Sequence, residues 1–156
     1  MANSTGKEIV NRKAKHEYSF VQEFEAGVVL VGSEVKSIRQ GNVNLSDAYC
    51  LFHGDHLWIK NMYIGEYDQA TIYNHESRRD RILLIKKTEV RKIKRRIEDK
   101  GMTLIPYKMY FSERGFVKII IALAQGKKSF DKREDIKDRD VKREIDRVKK
   151  IHNKID

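Results

Sequence analysis

Apolar and polar residues alternate in several short runs along the chain, which is the pattern of half-buried β-strands. Alternating or wholly apolar runs lie at residues 18–24, 26–32, 45–52, 57–64, 82–85, 105–111 and 117–123. Residues 53–56 (HGDH) have the turn chemistry of a hairpin. Pro106 cannot donate to a strand ladder, so we expect its strand to begin there or to lie on an edge. The pattern predicts about six short strands.

Two segments carry apolar residues at helical spacing instead. Ser33 is a suitable N-cap for a two-turn helix over residues 34–40, and Gly41 can end it. Thr88 is a suitable N-cap for a second helix, which Gly101 can end. Val90, Ile93 and Ile97 form one apolar face of this helix, which is expected to face the core. Residues 65–78 show no clean period and are interpreted as a loop. Many short strands with few helices favour a small barrel over a parallel α/β sheet.

The composition changes after Gly126. Residues 127–156 hold 12 Lys or Arg and 8 Asp or Glu, with no Gly or Pro. One apolar residue per helical turn remains, at Val141, Ile145, Val148, Ile151 and Ile155. Because so narrow a stripe cannot support a core, we expect a tail that is disordered when free and helical when it meets a partner. The chain thus divides into a domain at residues 1–126, with residues 1–10 flexible, and a charge-mixed basic tail at residues 127–156.

The charge balance narrows the class of partner. The 156 residues include 33 Lys plus Arg against 23 Asp plus Glu, a formal net charge of +10. Residues 78–100 hold 11 basic and 4 acidic residues, a local net charge of +7, and phosphate contacts need this density. No apolar stretch approaches the roughly 18 residues of a membrane span, and no export signal is visible. The composition favours a soluble nucleic-acid-binding protein.

Candidate catalytic and metal-binding residues are few. His53 and His56 are spaced like metal ligands, but no second pair completes a site, so a solvated hairpin is the better interpretation. Cys50 lies mid-strand and is interpreted as a buried apolar residue; a lone cysteine also fits a reducing cytosol. A ribonuclease using His16 and His75 is one alternative, and a general single-strand nucleic-acid module is another.

Five ordered motifs carry a family resemblance. They are residues 11–18 (NRKAKHEY), 25–27 (EAG), 32–41 (GSEVKSIRQG), 44–49 (NLSDAY) and 126–133 (GKKSFDKR). Together they resemble the SsrA-binding protein (SmpB) family. The resemblance implies a mainly β fold, an oligonucleotide-binding (OB-like) antiparallel β-barrel of about six strands with two or three flanking helices. It further implies a bacterial, cytoplasmic RNA-binding protein that is not an enzyme.

The resemblance also implies the partners. Members of the family bind the transfer-RNA-like domain of transfer-messenger RNA and deliver it to stalled ribosomes, where the nascent chain is tagged and the ribosome is released. The tail is expected to occupy the empty mRNA channel near the small-subunit decoding centre. Neither a cofactor nor a metal nor a membrane is implied, and the free protein is expected to be a monomer.

Site residues follow from the resemblance by position. Glu25, Leu84 and Lys118 fall where the family holds its RNA, Lys118 as a phosphate partner. A carboxylate such as Glu25 must accept from a base or a 2′-hydroxyl, and its alternative is a turn residue before Gly27. The same RNA-binding surface is expected to include His16, Tyr18, Lys36, Arg39, Asn44, Arg79, Arg81, Gly126, Lys127 and Lys128. The residues expected to engage the ribosome are Phe130, Asp131, Lys132, Arg133 and Val148.

Overall fold

The computed structural model describes residues 8–70, 72, 74–127 and 129–155. These residues form two compact units, one extending to Gln125 and the other beginning at Gly126. The strands described are β1 (Ile9–Val10), β2 (Tyr18–Val28), β3 (Val43–Asn44), β4 (Tyr49–His53), β5 (His56–Lys60), β6 (Tyr63–Ile64), β7 (Arg81–Leu84), β8 (Thr103–Phe111) and β9 (Val117–Gly126). The helices are α1 (Arg12–Glu17), α2 (Gly32–Arg39), α3 (Lys87–Lys100) and α4 (Ser129–Ile155).

Six antiparallel strands close into a barrel in the first unit. Their order is β8-β4-β5-β7-β2-β9, and β9 pairs back onto β8, so the sheet has no free edge along this ring. Strand β1 pairs with β8 at Lys108 and Met109, and β3 pairs with β6 in a separate two-stranded sheet. The predicted OB-like barrel of about six strands with flanking helices is therefore confirmed.

The barrel core comes from the inward positions of the alternating strands. Ile59, Met62, Leu104, Met109 and Ile119 are almost completely buried within one cluster. A smaller cluster of Ala14, Ile105, Ala122 and Ala124 seats helix α1 against β8 and β9. Cys50 is buried, as predicted, and burial raises the pKa of its thiol far above the ordinary value.

The hairpin and the two capped helices were predicted with small errors at their starts. His53 and His56 face each other across the β4–β5 hairpin, and Gly101 ends α3 in the left-handed region at φ 60°, where glycine is favoured. Helix α2 begins one residue before Ser33, because the Glu34 carboxylate accepts from Val31 N at 3.1 Å while the Ser33 hydroxyl pairs with His75.

Three further predictions need correction. Helix α3 begins at Lys87, so Thr88 lies inside its first turn and is not the N-cap. Pro106 lies inside β8, where a register shift between Pro106 and Lys108 accommodates the missing N–H. The flexible segment predicted at residues 1–10 does not include Ile9–Val10, which pair with β8; residues 1–7 lie outside the described residues.

The second unit is the single helix α4 of 27 residues. Its apolar residues Ile136, Val141, Ile145, Val148 and Ile151 are all exposed, in line with a stripe too narrow for a core. Whether this helix persists in the free protein stays a prediction. None of the helices in the described residues is both long enough and apolar enough to cross a membrane.

Candidate nucleic-acid interface

Four neighbouring barrel strands bring Glu25, Leu84, Tyr110 and Lys118 onto the outer surface; these residues are called the barrel-face site. Each lies next to buried residues of its own strand, such as Phe24 and Ala26 around Glu25. The strand order β7-β2-β9-β8 places them side by side. Because successive side chains of a strand point to opposite faces, all four point away from the core.

Glu25 is held by a tyrosine from another strand. The Tyr110 hydroxyl donates to Glu25 Oε2 at 2.5 Å, and Tyr110 is the register partner of Lys118. Desolvation, followed by the hydrogen bond and negative charge of Glu25, raises the pKa of Tyr110 to about 12. Tyr110 is therefore a neutral donor at physiological pH, and it fixes the carboxylate. Oε1 of Glu25 has no hydrogen-bond partner among the described residues and can accept from a ligand.

Lys118 lies next to this carboxylate without forming an ion pair to it. Among the residues that the structure describes, Lys118 has no salt bridge or side-chain hydrogen bond. A half-exposed ammonium group of this kind is available to an external anion. The site thus pairs an oriented acceptor with an uncommitted cation, which suits ribose and phosphate respectively.

Leu84 supplies the apolar part of the site. It is 59 % exposed and is the register partner of Gly27 on β2, two residues beyond Glu25. A Cβ on Gly27 would approach Leu84 Cβ to 3.5 Å, so glycine here leaves the face of Leu84 uncovered. An exposed leucine beside a glycine can pack against a ribose or a base.

Arg81 does not belong to this surface, and its predicted place there is wrong. Its side chain is 0 % exposed and pairs with Glu34, which is also 0 % exposed. Arg81 Nη1 donates to Met62 O at 2.7 Å and Nη2 donates to Ser77 O at 3.2 Å. All of the guanidinium is therefore committed to the interior, where an unpaired charge would be costly.

Arg79 is largely committed to the same carboxylate. Its Nε and Nη2 donate to Glu34 Oε1 at 3.1 and 2.5 Å, although 31 % of the side chain is exposed. Burial alone would raise the pKa of Glu34, but the Arg79 hydrogen bond, the Val31 N–H and the Arg81 charge bring it below the ordinary value. Glu34 is thus an ionised anchor between α2 and β7.

His75 is a second internal anchor, which the sequence pattern did not reveal. It is buried, its Nδ1 lies 2.8 Å from Ser33 Oγ and its Nε2 lies 2.9 Å from Ile64 O. Both ring nitrogens have partners within the protein, so His75 links α2 to β6. Asn74 adds hydrogen bonds to Tyr67 N and O, which close the loop at residues 65–78.

The other predicted residues of the first unit lie on separate elements. Lys36 and Arg39 are exposed on α2, where they lie over the rings of Tyr67 and Phe111 at 5.4 and 5.7 Å. Asn44 is exposed, and its Oδ1 accepts from Ser46 N at 2.8 Å, which shapes a local turn. These contacts orient the side chains and leave Lys36 and Arg39 facing solvent.

Helix α1 presents His16, and Tyr18 follows it at the start of β2. Asn11 fixes this segment, because its Oδ1 caps Ala14 N while its Nδ2 donates to Leu45 O and Pro106 O. His16 is half-buried, and its Nδ1 has no hydrogen-bond partner among the described residues. Tyr18 lines an open cleft together with Asn11 and Tyr49.

The predicted tail residues are described in part. Gly126 is exposed at the end of β9, and Lys127 pairs with Asp135. Lys132 is half-buried, Arg133 is exposed and Val148 is 65 % exposed. Lys128 and the side chains of Phe130 and Asp131 lie outside the described residues. In the described part of the chain, no group of three or more His, Cys, Asp or Glu could hold a metal ion.

A small closed antiparallel barrel with exposed cations and an oriented acceptor on its outer face defines the class of OB-like nucleic-acid-binding proteins. Comparison with known proteins identifies the family within this class. The sequence profile described as "SmpB protein" matches residues 8–151. The chain belongs to the SmpB family.

Relatives and a solved structure agree with this assignment. The SsrA-binding protein of Cytophaga hutchinsonii is 48% identical over 141 residues, covering 90% of this chain and 92% of the relative. That of Parabacteroides distasonis is 44% identical over 145 residues, covering 93% and 95%. A solved structure described as "tmRNA-SmpB: a journey to the center of the bacterial ribosome" matches with a TM-score of 0.66 and 41% identity, covering 78% of this chain and 85% of that one.

Proposed function

We propose that this protein is a non-catalytic, cytoplasmic RNA-binding factor that binds the transfer-RNA-like domain of transfer-messenger RNA and brings it to stalled ribosomes. The observation that carries the proposal is the barrel-face site, which joins the three residues that the family resemblance assigns to RNA binding. The relatives' name, SsrA-binding protein, supports the identity of the RNA.

The barrel-face site divides the recognition among its members. Lys118 contacts a phosphate, Leu84 packs against a ribose or base, and Glu25 Oε1 accepts from a 2′-hydroxyl or a base N–H. Tyr110 keeps Glu25 in position through its 2.5 Å hydrogen bond. A 2′-hydroxyl contact would distinguish RNA from DNA, since DNA lacks this group.

The tail acts on the ribosome in this proposal. Lys132 and Arg133 lie near the start of the long helix α4, which has many charges of both signs, and Val148 lies on its exposed apolar stripe. The helix occupies the empty mRNA channel, where rRNA surrounds it. A truncated chain that ends at Ser129 should bind the RNA normally yet fail to support peptide tagging on stalled ribosomes. Loss of both activities together would contradict this division.

The role of Glu25 is tested by Glu25→Gln, with Glu23→Gln as the matched control. Glu23 is exposed on the same face of β2, two residues away. If Glu25 accepts from the RNA, its substitution weakens binding of a transfer-RNA-like transcript about tenfold, the cost of a hydrogen bond to a charged group. If Glu25 only repels phosphate, the substitution strengthens binding, and the proposed role is wrong.

The role of Lys118 is tested by Lys118→Gln, with Arg114→Gln as the control in the nearby β8–β9 turn. Loss of one phosphate contact should reduce the slope of log affinity against log salt by about 0.7–0.9. Competition by a single strand of equal length distinguishes the alternative of a general single-strand module. If the single strand competes as well as the folded RNA at fixed salt, the proposal fails.

A further inference from the structure

Helix α3 carries a row of cations outside the barrel-face site. Its inner side is anchored by Ile93, which is 0 % exposed. Lys87, Arg91 and Arg95 are exposed on the outer side and follow one another at four-residue intervals, about 6 Å apart along the helix axis. None of the three has a salt bridge or side-chain hydrogen bond with any residue that the structure describes. These residues are called the α3 cation row.

A groove connects this row with the barrel-face site. It has a volume of about 450 Å³ and lies between β7 and α3, where Leu84, Lys87 and Arg91 line it together. Asp55 also lines the groove, but its carboxylate is paired with Lys94 at 3.2 Å. The uncompensated charges along the groove are therefore positive, and they begin beside the exposed side chain of Leu84.

We propose that the α3 cation row binds the ribose–phosphate backbone of helical RNA and extends the RNA surface from Leu84 through the groove. This inference rests on the proposed function and adds a second contact region to it. A rigid helix that presents one cation per turn offers charges at a fixed repeat, as a helical nucleic acid presents its phosphates at a fixed repeat.

The composition of α3 decides what kind of RNA contact it can make. Residues 87–100 contain no aromatic side chain and no Asn or Gln, so the helix offers bases no aromatic ring to stack on and no amide to read adenine. Side chains cannot read base edges in the deep, narrow major groove of helical RNA, so the contacts of the row are made with the backbone and are independent of sequence. A membrane surface is disfavoured, because the apolar side of the helix is already buried in the barrel core.

The test compares two double variants of the full-length chain with equal net charge. Arg91→Gln/Arg95→Gln removes two members of the row, and Arg12→Gln/Arg114→Gln removes two exposed cations elsewhere on the first unit. Glutamine keeps a helix propensity similar to that of arginine. Unfolding followed by Trp58 fluorescence checks that each variant keeps its barrel. Affinity is measured across salt for a transcript of the transfer-RNA-like domain and for purified ribosomes.

The row variant should lower the slope of log affinity against log salt by about 1.8, relative to wild type and control. The affinity ratio between wild type and variant then shrinks about tenfold between 50 and 200 mM salt. A change with the transcript assigns the contact to transfer-messenger RNA, and a change with ribosomes alone assigns it to ribosomal RNA. Both support the proposal.

If wild type binds both probes and the row variant leaves both slopes of log affinity against log salt unchanged, the α3 cation row does not bind RNA. An acidic protein partner then becomes the better explanation of this face. The proposed function survives that result. If wild type itself prefers neither the transcript nor ribosomes to a single strand, the proposed function fails, and the row fails with it.

Discussion

Arg81 gives the sharpest test of the distinction between structural and RNA-binding cations. Substitution Arg81→Met leaves the Glu34 carboxylate buried with Arg79 as its remaining cationic partner. It also removes the Arg81 donor from Met62 O and from Ser77 O, and Ser77 O keeps the N–H of Ile64 at 2.9 Å. Breaking a buried ion pair by removing one partner costs about 3–5 kcal/mol. Because domains are stable by only about 5–15 kcal/mol, the variant should lose a large part of the free energy of unfolding.

The assay uses the single tryptophan of the chain as a reporter of the barrel. Trp58 lies on β5, is the register partner of Ile82 on β7, and is therefore close to the strand that carries Arg81. Urea unfolding followed by Trp58 fluorescence reports the barrel without interference from α4. Arg79→Gln is the matched control, and it should cost about 1 kcal/mol, because Arg79 is partly exposed and its charge is screened by solvent.

RNA binding provides the second measurement on the same variant. If Arg81 is purely internal, the affinity per folded molecule and the salt slope remain those of wild type. A loss of stability below about 1 kcal/mol, together with a salt slope lowered by about 0.9, would refute the assignment and return Arg81 to the RNA surface.

Three further predictions follow from individual contacts. Tyr110→Phe should weaken RNA binding roughly fivefold, because it releases Glu25 and removes a hydrogen bond that contributes about 1 kcal/mol. The pKa of Tyr110, about 12 in wild type, should fall in Glu25→Gln, which phenolate absorbance measures. The pKa of Glu34 is lower in the folded state than in the unfolded state. The ionised carboxylate therefore stabilises the fold above its unfolded pKa, and this stabilisation is lost as pH falls through the folded pKa. Urea midpoints measured from pH 7 to about pH 3 should fall less in Glu34→Gln than in wild type. Gly65→Ala should cost only about 0.5 kcal/mol in thermal unfolding, since its Cβ would meet the amide end of the exposed Asn42 side chain, which can turn away into solvent; a loss of several kcal/mol would show that Asn42 is held in place.

The strands and the barrel could be predicted because burial acts on alternating positions. The runs at residues 105–111 and 117–123 keep inward residues such as Met109 and Ile119 at every second position, and both are 0 % exposed. Strand starts were harder to predict. Pro106 is tolerated inside β8 because a bulge follows it, and a bulge depends on pairing across strands that local sequence does not encode.

The candidate site could be predicted from the sequence only through the family resemblance. Nothing in local pattern joins Glu25, Leu84 and Lys118, which lie on three different strands and meet only once the barrel closes. The hydrogen bond from Tyr110 to Glu25 spans 85 positions of the chain. The periodicity of apolar residues reports only local structure and cannot predict contacts of this kind.

The net charge of residues 78–100 hides two populations of cations with opposite physical roles. Arg79 and Arg81 turn towards Glu34 because a buried carboxylate requires donors, and both guanidinium groups are committed to that one carboxylate. Lys87, Arg91 and Arg95 have no such partner among the described residues. They lie on the outer side of α3, away from the buried Ile93. A count of basic residues therefore gives too many phosphate-binding cations near the start of β7. On α3 the counted cations of the row are exposed and available to phosphate. Salt-slope measurements on the two groups separate them, because only a cation that replaces counterions at a phosphate changes the slope.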